Sequence, residues 1–595
     1  MNDSALAARR GSLADPYPES GHGRTCAADA AAADRANALL PGIGALATAA
    51  LAACGGGGAA SPAPAPPAPP APPPVPATSA AEAVRLLNQA SFGANEASVA
   101  AVVAVGPSSW IDDQFSRPQT LHRPYIEAAI AAGQPGAPEL TYRDFVMDTF
   151  WRQALTGADQ LRQRVVFALT EIFVVSQTNG DVNNRPRGLA SYLDLLGQHA
   201  FGNFRDLLEA VSLHPIMGLY LSSLRNQAED LATGRVPDEN FAREVMQLFT
   251  IGLYRLNPDG TQVLSNGQPV STYGNADVQG LARVFTGWSW AGPDTSNTRF
   301  RGGTPDPDRD IRPMQPYPQF HSTAAKGFLG ATIPAGTAAT GSLRIALDVL
   351  FNHPNTGPFI GRQLIQRLVT SNPSPAYVAR VAAAFANNGS GVRGDMKAVL
   401  RAALLDTEAR GGGLADPAWG KLREPALRLS AWARACEATS VSGNFPIRNI
   451  ADPSTALAQN PLRSPSVFNF FRPGYVPPST GIASAGLVAP EFQITGESSV
   501  AGYLNYMRNA VNTGVGTGSD VRSSYAKEVA LAADAQALVD RCKLLFTANQ
   551  MTDATRNAIR DAVASIPMSA ANAALNRAKL AVYLTLAAPE FIVQR

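Results

Sequence analysis

The spacing of apolar side chains is helical over most of the chain from residue 80 to residue 595. In the first such segment, Val84 and Leu87 share one face, and the pattern ends at Gly93. The same spacing recurs between proline or glycine breaks in four later segments, residues 342–351, 356–370, 375–387 and 392–405. The pattern predicts a mainly α-helical, multi-helix globular domain.

The most apolar helix predicted in this domain covers residues 158–177 and is almost wholly apolar after Val165. A helix that is apolar on every side belongs in the centre of a domain. We expect its polar start, which includes Arg164, to be its more exposed end. Glu171 is the lone acid inside the apolar run. We interpret it as a surface-edge residue or a partner in a structural salt bridge, rather than as a catalytic group.

Two kinds of segment interrupt the helices. Asn266 and Gly267 stand between short apolar runs, which predicts one short β-hairpin. Residues 291–340 and 461–490 are rich in proline and glycine and lack a period, which predicts long loops. We therefore treat residues 80–595 as a single large helical domain.

One amphipathic helix within residues 237–260 holds the densest set of polar side chains beside an apolar face. At about 100° per residue, its buried stripe consists of Phe241, Val245, Leu248 and Phe249. The polar residues Asn240, Glu244 and Gln247 lie directly beside that stripe. A carboxylate at the margin of a buried face needs a partner such as an arginine or a metal ion. The polar stripe is therefore either a structural network or a functional site.

The start of this helix has a simpler interpretation. Pro237 suits the first helical position, and Asp238 complements the positive end of the helix dipole. Glu239 and Arg243 are spaced for an ion pair on the surface. As a catalytic alternative, Glu244 and Asp238 could converge with His214 across the fold.

The region before the domain is typical of an exported protein. Residues 1–53 contain a short apolar core followed by the sequence LAAC, which ends at Cys54. This ending resembles the lipobox of bacterial lipoproteins, which implies cleavage before Cys54 and lipid attachment to that residue. Gly55, rather than aspartate, follows it, so we expect the outer membrane as the destination. Residues 54–79 are rich in glycine, proline and alanine, which predicts an extended tether.

Composition and charge narrow the functional classes. The chain is 45% hydrophobic and 16% charged, with a formal net charge of +2. Its basic residues form no stripe that could neutralise phosphates, so we expect no nucleic-acid partner. Cys436 and Cys542 are far apart in sequence, and they could form one disulfide or remain two buried thiols.

Histidines of the domain lack the spacing of a metal-binding motif. His214 and His353 each precede a proline at a predicted helix end, where a histidine commonly caps the backbone. A site assembled from His214, His321 and His353 together with acids is the alternative, since metal ligands need not be close in sequence. The chain contains no GxSxG motif for a serine nucleophile.

Several segments together resemble a known bacterial family, the domain of unknown function 1800 (DUF1800). They are DQLRQRVVFALTEIFVVS (159–176), HAFGNFRDLLEAVSLHPIMGLYL (199–221), PDENFAREVMQLFTIGLYRLNPDG (237–260), LARVFTGW (281–288), HPNTGPFIGRQLIQRLVTSNPSPAYVARVAAAF (353–385), KLREP (421–425), SPSVFNFFRPGY (464–475) and LVAPEFQI (487–494). The resemblance covers about residues 80–500 and leaves a helical C-terminal part, 500–595. It implies an exported bacterial protein that is commonly encoded beside another uncharacterised exported family, and it implies no established activity.

These observations lead to two functional hypotheses. The first is an exported, lipid-anchored envelope protein, facing the periplasm or the cell surface, that acts as a binding or assembly component. Its partners would be the membrane, through the lipid, and a protein of the neighbouring exported family. The second is a secreted hydrolase with a composite histidine and acid site, which works either alone or with the assistance of a metal ion. A hydrolase needs a solvent-reachable pocket where Glu244, Asp238 and a histidine converge, whereas a binding protein needs an exposed apolar patch or groove.

Overall fold

The computed structural model describes residues 78–133 and 137–595. It is 53% helical, and 24 α-helices lie within the described residues. This confirms the prediction of a mainly α-helical fold. No helix in these ranges is both long and apolar enough to cross a membrane. The predicted signal region and the tether up to residue 77 lie outside the described residues.

The helices follow one another through the whole described chain. The first nine are α1 (Ala80–Ala90), α2 (Glu96–Ser116), α3 (Arg123–Ala132), α4 (Phe145–Thr156), α5 (Gln160–Thr170), α6 (Gly180–Asn183), α7 (Pro186–His199), α8 (Phe204–Leu213) and α9 (Pro215–Tyr220). The next seven are α10 (Asn240–Gln247), α11 (Asn275–Ala282), α12 (Asn297–Phe300), α13 (Ala339–Asn352), α14 (Thr356–Leu368), α15 (Pro375–Ala386) and α16 (Met396–Leu405). The last eight are α17 (Pro425–Ala435), α18 (Gly481–Ser484), α19 (Glu497–Thr513), α20 (Ala526–Ala530), α21 (Ala535–Thr547), α22 (Asp553–Ala564), α23 (Ala573–Ala587) and α24 (Pro589–Ile592).

Strands are short and form antiparallel pairs. They are β1 (Leu264–Ser265), β2 (Gln268–Pro269), β3 (Trp288–Ser289), β4 (Gln315–Pro316), β5 (Lys326–Phe328), β6 (Ala331–Ile333), β7 (Lys421–Leu422), β8 (Thr439–Ser440), β9 (Val521–Arg522) and β10 (Val593–Gln594). The predicted hairpin is β1–β2, with Asn266 and Gly267 at its turn. The described residues add a second hairpin, β5–β6, and three pairs between distant segments: β3–β4, β7–β10 and β8–β9.

Helix α5 lies in the centre of the fold, as its apolar sequence predicts. It packs against α1, α2, α4, α7 and α14. Arg162, in its polar start, is the one residue of α5 that is not buried, but the expectation of exposure is wrong for Arg164, which has 0% exposure. Neighbouring helices cover the face of α5 that carries Arg164, so this arginine finds its partner inside the protein. Its Nη2 atom donates a hydrogen bond to the backbone carbonyl of Arg367 at 2.6 Å.

Helix α5 is shorter than the apolar run predicted, since it ends at Thr170 instead of continuing to residue 177. The backbone groups beyond that point bond to other parts of the chain. Arg367 donates to the carbonyl of Glu171, and Tyr192 donates to the carbonyl of Phe173. The amide of Gln177 donates to the carbonyl of Leu462. Tertiary bonds therefore replace the last turns of the helix.

Two further buried helices meet the C-terminal end of α5. Helix α14 packs against α5, α13, α15 and α16, and helix α17 packs against α4 and α21. Every residue of α17 is buried, and the helix begins with Glu424 at the N-cap and Pro425 at the first position. Just before it, β7 pairs with β10 near the end of the chain. This junction brings charged residues from several segments into the core.

Cys436 and Cys542 are two free, buried thiols. Burial raises the pKa of Cys542 to about 12 and raises that of Cys436 well above its usual range. Because the thiolate is the reactive form of cysteine, we expect both thiols to be unreactive. Of the two arrangements that the sequence left open, the structure has separate buried thiols.

Candidate functional site

Helix α10 carries the polar stripe that the sequence singled out. Its apolar face is buried as expected: the Phe241 ring packs edge-on against Phe285, with centroids 4.7 Å apart. Beside this face, Asn240 is exposed, Gln247 is half-buried and Glu244 is buried. The stripe is therefore graded from solvent to core, with the carboxylate of Glu244 at its buried edge.

Glu244 receives no compensating partner in the described part of the chain. Its Oε2 atom is buried without a hydrogen bond, and burial raises the pKa of Glu244 to about 7 against the opposing effect of Arg243. Tyr273 donates its hydroxyl to Gln247 Oε1 at 3.2 Å, so it does not satisfy the acid. Glu244 is thus an isolated buried acid rather than part of a cluster.

The residues at the start of α10 have local structural roles. Asp238 accepts a hydrogen bond from the amide of Asn240 at 2.8 Å, which caps the helix. Glu239 and Arg243 form the expected surface ion pair at 3.2 Å, and both side chains are more than one third exposed. Neither Asp238 nor Glu239 contacts a histidine among the described residues.

His214 is fixed in a form that cannot act as a base on the neighbouring serine. Its Nδ1 atom accepts a hydrogen bond from the amide of Ile216 at 3.2 Å. The proton of the neutral ring is therefore on Nε2, which lies 3.5 Å from Ser191 Oγ. Burial also lowers the pKa of His214 to about 3. The histidine caps α9 and donates toward the serine instead of accepting its proton.

The other two candidate metal ligands are also engaged locally. His321 donates from Nδ1 to the carbonyl of Thr286 at 2.8 Å. His353 accepts at Nδ1 from the amide of Asn355 at 3.1 Å. Within residues 78–133 and 137–595, no group of three or more histidine, cysteine, aspartate or glutamate side chains is arranged to hold a metal ion. The structure does not bring His214, His321 and His353 into one site.

The densest buried polar group lies elsewhere, where α5, α14 and α17 meet. We call it the charge cluster. It contains three acids and three bases, each at most 4% exposed: Arg164, Glu171, Arg367, Lys421, Glu424 and Glu491. Glu171 is the residue at the C-terminal end of α5, and Arg367 belongs to α14. Glu424 occupies the N-cap position of α17, Lys421 belongs to β7, and Glu491 lies in the 3₁₀ turn Pro490–Ile494.

Ion pairs and backbone hydrogen bonds hold the charge cluster together. Lys421 Nζ lies 3.0 Å from Glu491 Oε1 and 3.6 Å from Glu424 Oε1. Arg367 Nε lies 3.7 Å from Glu171 Oε2. The carbonyl of Arg367 accepts from Lys421 Nζ at 2.8 Å as well as from Arg164. Gln459 completes the group by donating to Glu424 Oε2 at 2.8 Å.

Glu171 is the least satisfied member of the charge cluster. Neither of its carboxyl oxygens accepts a hydrogen bond from a donor in the described chain. Burial, followed by the charge of Glu424, raises the pKa of Glu171 well above its usual range. Burial acts in the same direction on Glu424, but Lys421 and Arg164 outweigh it and lower the pKa of Glu424. A proton is therefore held on Glu171, beside the ionised Glu424.

A cavity of about 240 Å³ adjoins the charge cluster. Glu171, Arg367 and Gln363 contribute to its wall on the side of the cluster, and Gln247 of the α10 polar stripe contributes on another side. Most of the remaining wall is apolar, formed by Ile172, Leu248, Leu253, Phe359, Val467, Phe468 and Pro473. The amide nitrogen of Gln363 is buried without a hydrogen-bond acceptor among the described residues. The cavity thus combines a mostly apolar wall with a few polar groups, of which the Gln363 amide nitrogen lacks a partner among the described residues.

Gly252 shapes one wall of the cavity. Its φ of +71° is a left-handed conformation that favours glycine, and a Cβ atom there would lie 2.8 Å from the Phe359 ring. The glycine follows α10, and its amide donates to the carbonyl of Met246 at 3.0 Å. It lets the end of α10 approach α14 closely, which sets the width of the cavity.

Arg472 lies at the exposed side of the cavity. Its guanidinium carbon is 5.0 Å from the centroid of the Phe468 ring, and both residues contribute to the wall. Its backbone amide donates to Gln493 Oε1 at 2.8 Å, which fixes the chain at this point. No carboxylate lies within ion-pair distance of Arg472 in the part of the chain that the structure describes.

The family model described as "Protein of unknown function (DUF1800)" matches residues 85–593. The chain belongs to the DUF1800 family. No curated protein and no solved structure matches the chain. The matched range of this DUF1800 chain includes α10, the charge cluster and the cavity. Family membership agrees with the resemblance that the sequence segments carry.

The charge cluster of this DUF1800 protein was not recognised from the sequence, although its residues lie in segments that carry the family resemblance. Arg164 and Glu171 belong to 159–176, and Arg367 belongs to 353–385. Lys421 and Glu424 belong to 421–425, while Glu491 belongs to 487–494. The usable signal was Glu171 itself, an acid within an apolar run, because such an acid must be paired or protonated. Its partners could not be named, because they come from distant segments.

Proposed function

We propose that this protein is an exported, lipid-anchored component of the bacterial envelope that binds a small molecule in the cavity beside Glu171. The observation that carries the proposal is the cavity itself, whose mostly apolar wall also contains Glu171 and the amide of Gln363, and the Gln363 nitrogen has no acceptor among the described residues. Ligand sites in proteins commonly have this composition, because apolar walls supply affinity and a few polar groups supply orientation.

The export part of the proposal rests on residues 36–79. The apolar core, the LAAC sequence ending at Cys54 and the extended tether occur in the order that a lipoprotein requires. A proline-rich tether extends about 3 Å per residue, so it would hold the domain away from the membrane surface. We expect the domain to face the periplasm or the cell surface.

A binding role has more support than the hydrolase alternative. The hydrolase needs a histidine that accepts a proton from a nucleophile or water, and the Nδ1 lone pair of His214 is already occupied by the amide of Ile216. Glu244 lies among no metal-ligating group in the described ranges. The cavity, in contrast, needs no further group to hold a ligand. A protein partner from the neighbouring exported family stays a prediction.

Ligand binding can be tested with the full chain carrying Cys54→Ser, so that no lipid is attached. Three probes with the same apolar body, octanol, octanoate and octylamine, are added during thermal unfolding. A ligand that binds only the folded state raises the unfolding temperature. We expect at least one probe to do so. Leu248→Trp enlarges a half-buried side chain of the cavity wall and should abolish the increase.

The matched control is Leu264→Trp, which places the same ring on an exposed leucine of the β1–β2 hairpin. In this variant the probe should still raise the unfolding temperature. The proposed ligand site would be refuted if the probes raised the unfolding temperature of the two tryptophan variants equally. It would also be refuted if no probe raised the unfolding temperature of the chain with an unchanged cavity.

Export is tested separately, by the fractionation of cells that express either the unchanged chain or the Cys54→Ser variant. The unchanged chain should incorporate labelled lipid and sediment with the membranes. Cys54→Ser removes the thiol to which the lipid would be attached, so we expect it to lose both the label and the membrane association. Identical fractionation of the two chains would refute the lipid anchor and leave the ligand site unaffected.

A further inference from the structure

Arg472 is an arginine whose charge has no acidic partner in the described part of the chain, and it lies where the cavity meets solvent. It is exposed, and none of the ion pairs among the described residues includes it. Its contact with the face of Phe468 leaves the N–H groups in the guanidinium plane available. A guanidinium held over an aromatic ring can use its free N–H groups for a two-pronged bond to a carboxylate or a similar anion.

The charge cluster, which contributes Glu171 and Arg367 to the cavity wall, favours the same sign of ligand. Its three bases face three acids, but a proton on Glu171 leaves only Glu424 and Glu491 as possible anions. The surroundings of the cavity then carry excess positive charge even before Arg472 is counted. Because Arg367 of the cluster lines the cavity directly and the rest of the wall is mostly apolar, little solvent screens this charge, so an anion gains from it and a cation loses.

The apolar wall determines the rest of the ligand. The side chains of Leu248, Phe359 and Val467 offer no hydrogen bond, so they favour a hydrocarbon or aromatic body. Since Phe468 contributes to this wall and also stacks on Arg472, the apolar and the cationic parts of the site are continuous. A molecule that contacts both must carry its charge at one end.

We infer that the ligand is a small amphiphilic anion, with its apolar body in the cavity and its anionic group on Arg472. This inference rests on the proposed function and makes it more specific. A neutral amphiphile would leave the arginine unused, and an amphiphilic amine would bring a second positive charge beside it. A carboxylate satisfies Arg472 and requires no change in the charge cluster.

The test compares the affinities of octanoate, octanol and octylamine for the full chain with Cys54→Ser, measured by titration calorimetry at low salt. We expect octanoate to bind about tenfold or more tightly than octanol, the factor expected for one charge-assisted bidentate pair. Octylamine should bind most weakly. Arg472→Gln should remove the advantage of octanoate and leave the affinity for octanol unchanged.

Two further variants keep the result interpretable. Arg508→Gln removes another exposed arginine, on α19, that has no acidic partner among the described residues, and it should keep the preference for octanoate. Arg472→Lys keeps the charge without the planar donors and should retain only part of the preference. Equal binding of octanol and octanoate, or the strongest binding by octylamine, would overturn the inferred charge but leave the cavity a ligand site. No binding of any probe would overturn the proposed function, and the inference with it.

Discussion

The carboxyl group of Glu171 lies 3.7 Å from the guanidinium of Arg367, yet neither of its oxygens receives a hydrogen bond within the described residues. The guanidinium donates instead to the backbone carbonyl of Glu171 and to Gln363. Arg367 thus fixes the end of α5 through its backbone and leaves the Glu171 side chain protonated beside Glu424. The two acids have opposite roles, one neutral and one ionised, although both are buried.

This division of roles predicts different effects for the same substitution at the two positions. Glu171→Gln replaces a protonated acid with an amide of the same shape that can also donate toward Glu424. We expect it to change the free energy of unfolding by less than about 1 kcal/mol. Glu424→Gln removes the anion that faces Lys421 and Arg164 and should cost about 3–5 kcal/mol. Urea unfolding at pH 7 measures both values, and equal losses would contradict the assignment of the proton to Glu171.

Glu244 should make the protein less stable as the pH rises from about 4.5 to about 7. Its folded pKa, about 7, is above the usual value of 4.5, so the folded state favours the protonated acid. The resulting stability is fully present below pH 4.5 and is lost as the pH approaches 7. Glu244→Gln keeps the shape without the charge. At pH 8 it should raise the free energy of unfolding by up to roughly 3 kcal/mol, and at pH 4.5 by little.

The control for this prediction is Glu239→Gln, which removes an exposed acid at the start of the same helix. The difference between pH 4.5 and pH 8 should be the same in this variant as in the unchanged chain. Urea unfolding across this range is the measurement. If Glu244→Gln leaves the pH dependence as it was, a partner must satisfy the carboxylate in solution.

His214 should have the opposite pH dependence. Burial lowers its folded pKa to about 3, below the usual value of 6.5, so the folded state favours the neutral ring. The stability is present above pH 6.5 and falls as the pH decreases toward 3. Between pH 6.5 and pH 5 the loss from this group is about 2 kcal/mol. His214→Asn can still cap α9, and it should remove this loss of stability at low pH. His214→Ala should remove it too, but alanine cannot cap the helix, so the free energy of unfolding should fall by about 1 kcal/mol at pH 7.5. Urea unfolding of both variants at pH 5, 6.5 and 7.5 is the measurement.

The elements that could be predicted from the sequence are those that depend on neighbouring residues. The periodicity of α10 predicted that Phe241 and Val245 are buried, and the Asn266–Gly267 pair predicted the β1–β2 turn. Both signals are local, since a helix face and a two-residue turn are determined within a few positions. The ion pair between Glu239 and Arg243 was predictable for the same reason.

The charge cluster could not be predicted, because its members come together only after the helices pack. Arg164 seemed to belong to an exposed helix end because its own helix gives no information about α14, which covers it. Glu171 was expected at a surface edge or in a salt bridge. It is buried, and it lies beside Arg367, but the two residues are 196 positions apart. Its neighbour Glu424 lies on a third segment. Tertiary packing therefore decides which of the polar residues form the site.

Gly252 offers a test of the cavity wall that does not depend on charge. Gly252→Ala imposes a strained φ and places a Cβ atom 2.8 Å from the Phe359 ring, so the ring must move. We expect a loss of roughly 1–3 kcal/mol in stability and weaker binding of every probe that enters the cavity. Gly267→Ala is the matched control, since it has a similar φ of +76° but no atom within 4 Å of the added carbon. It should cost about 1 kcal/mol and leave probe binding unchanged. If Gly252→Ala and Gly267→Ala weakened probe binding equally, Phe359 would not limit the size of the cavity.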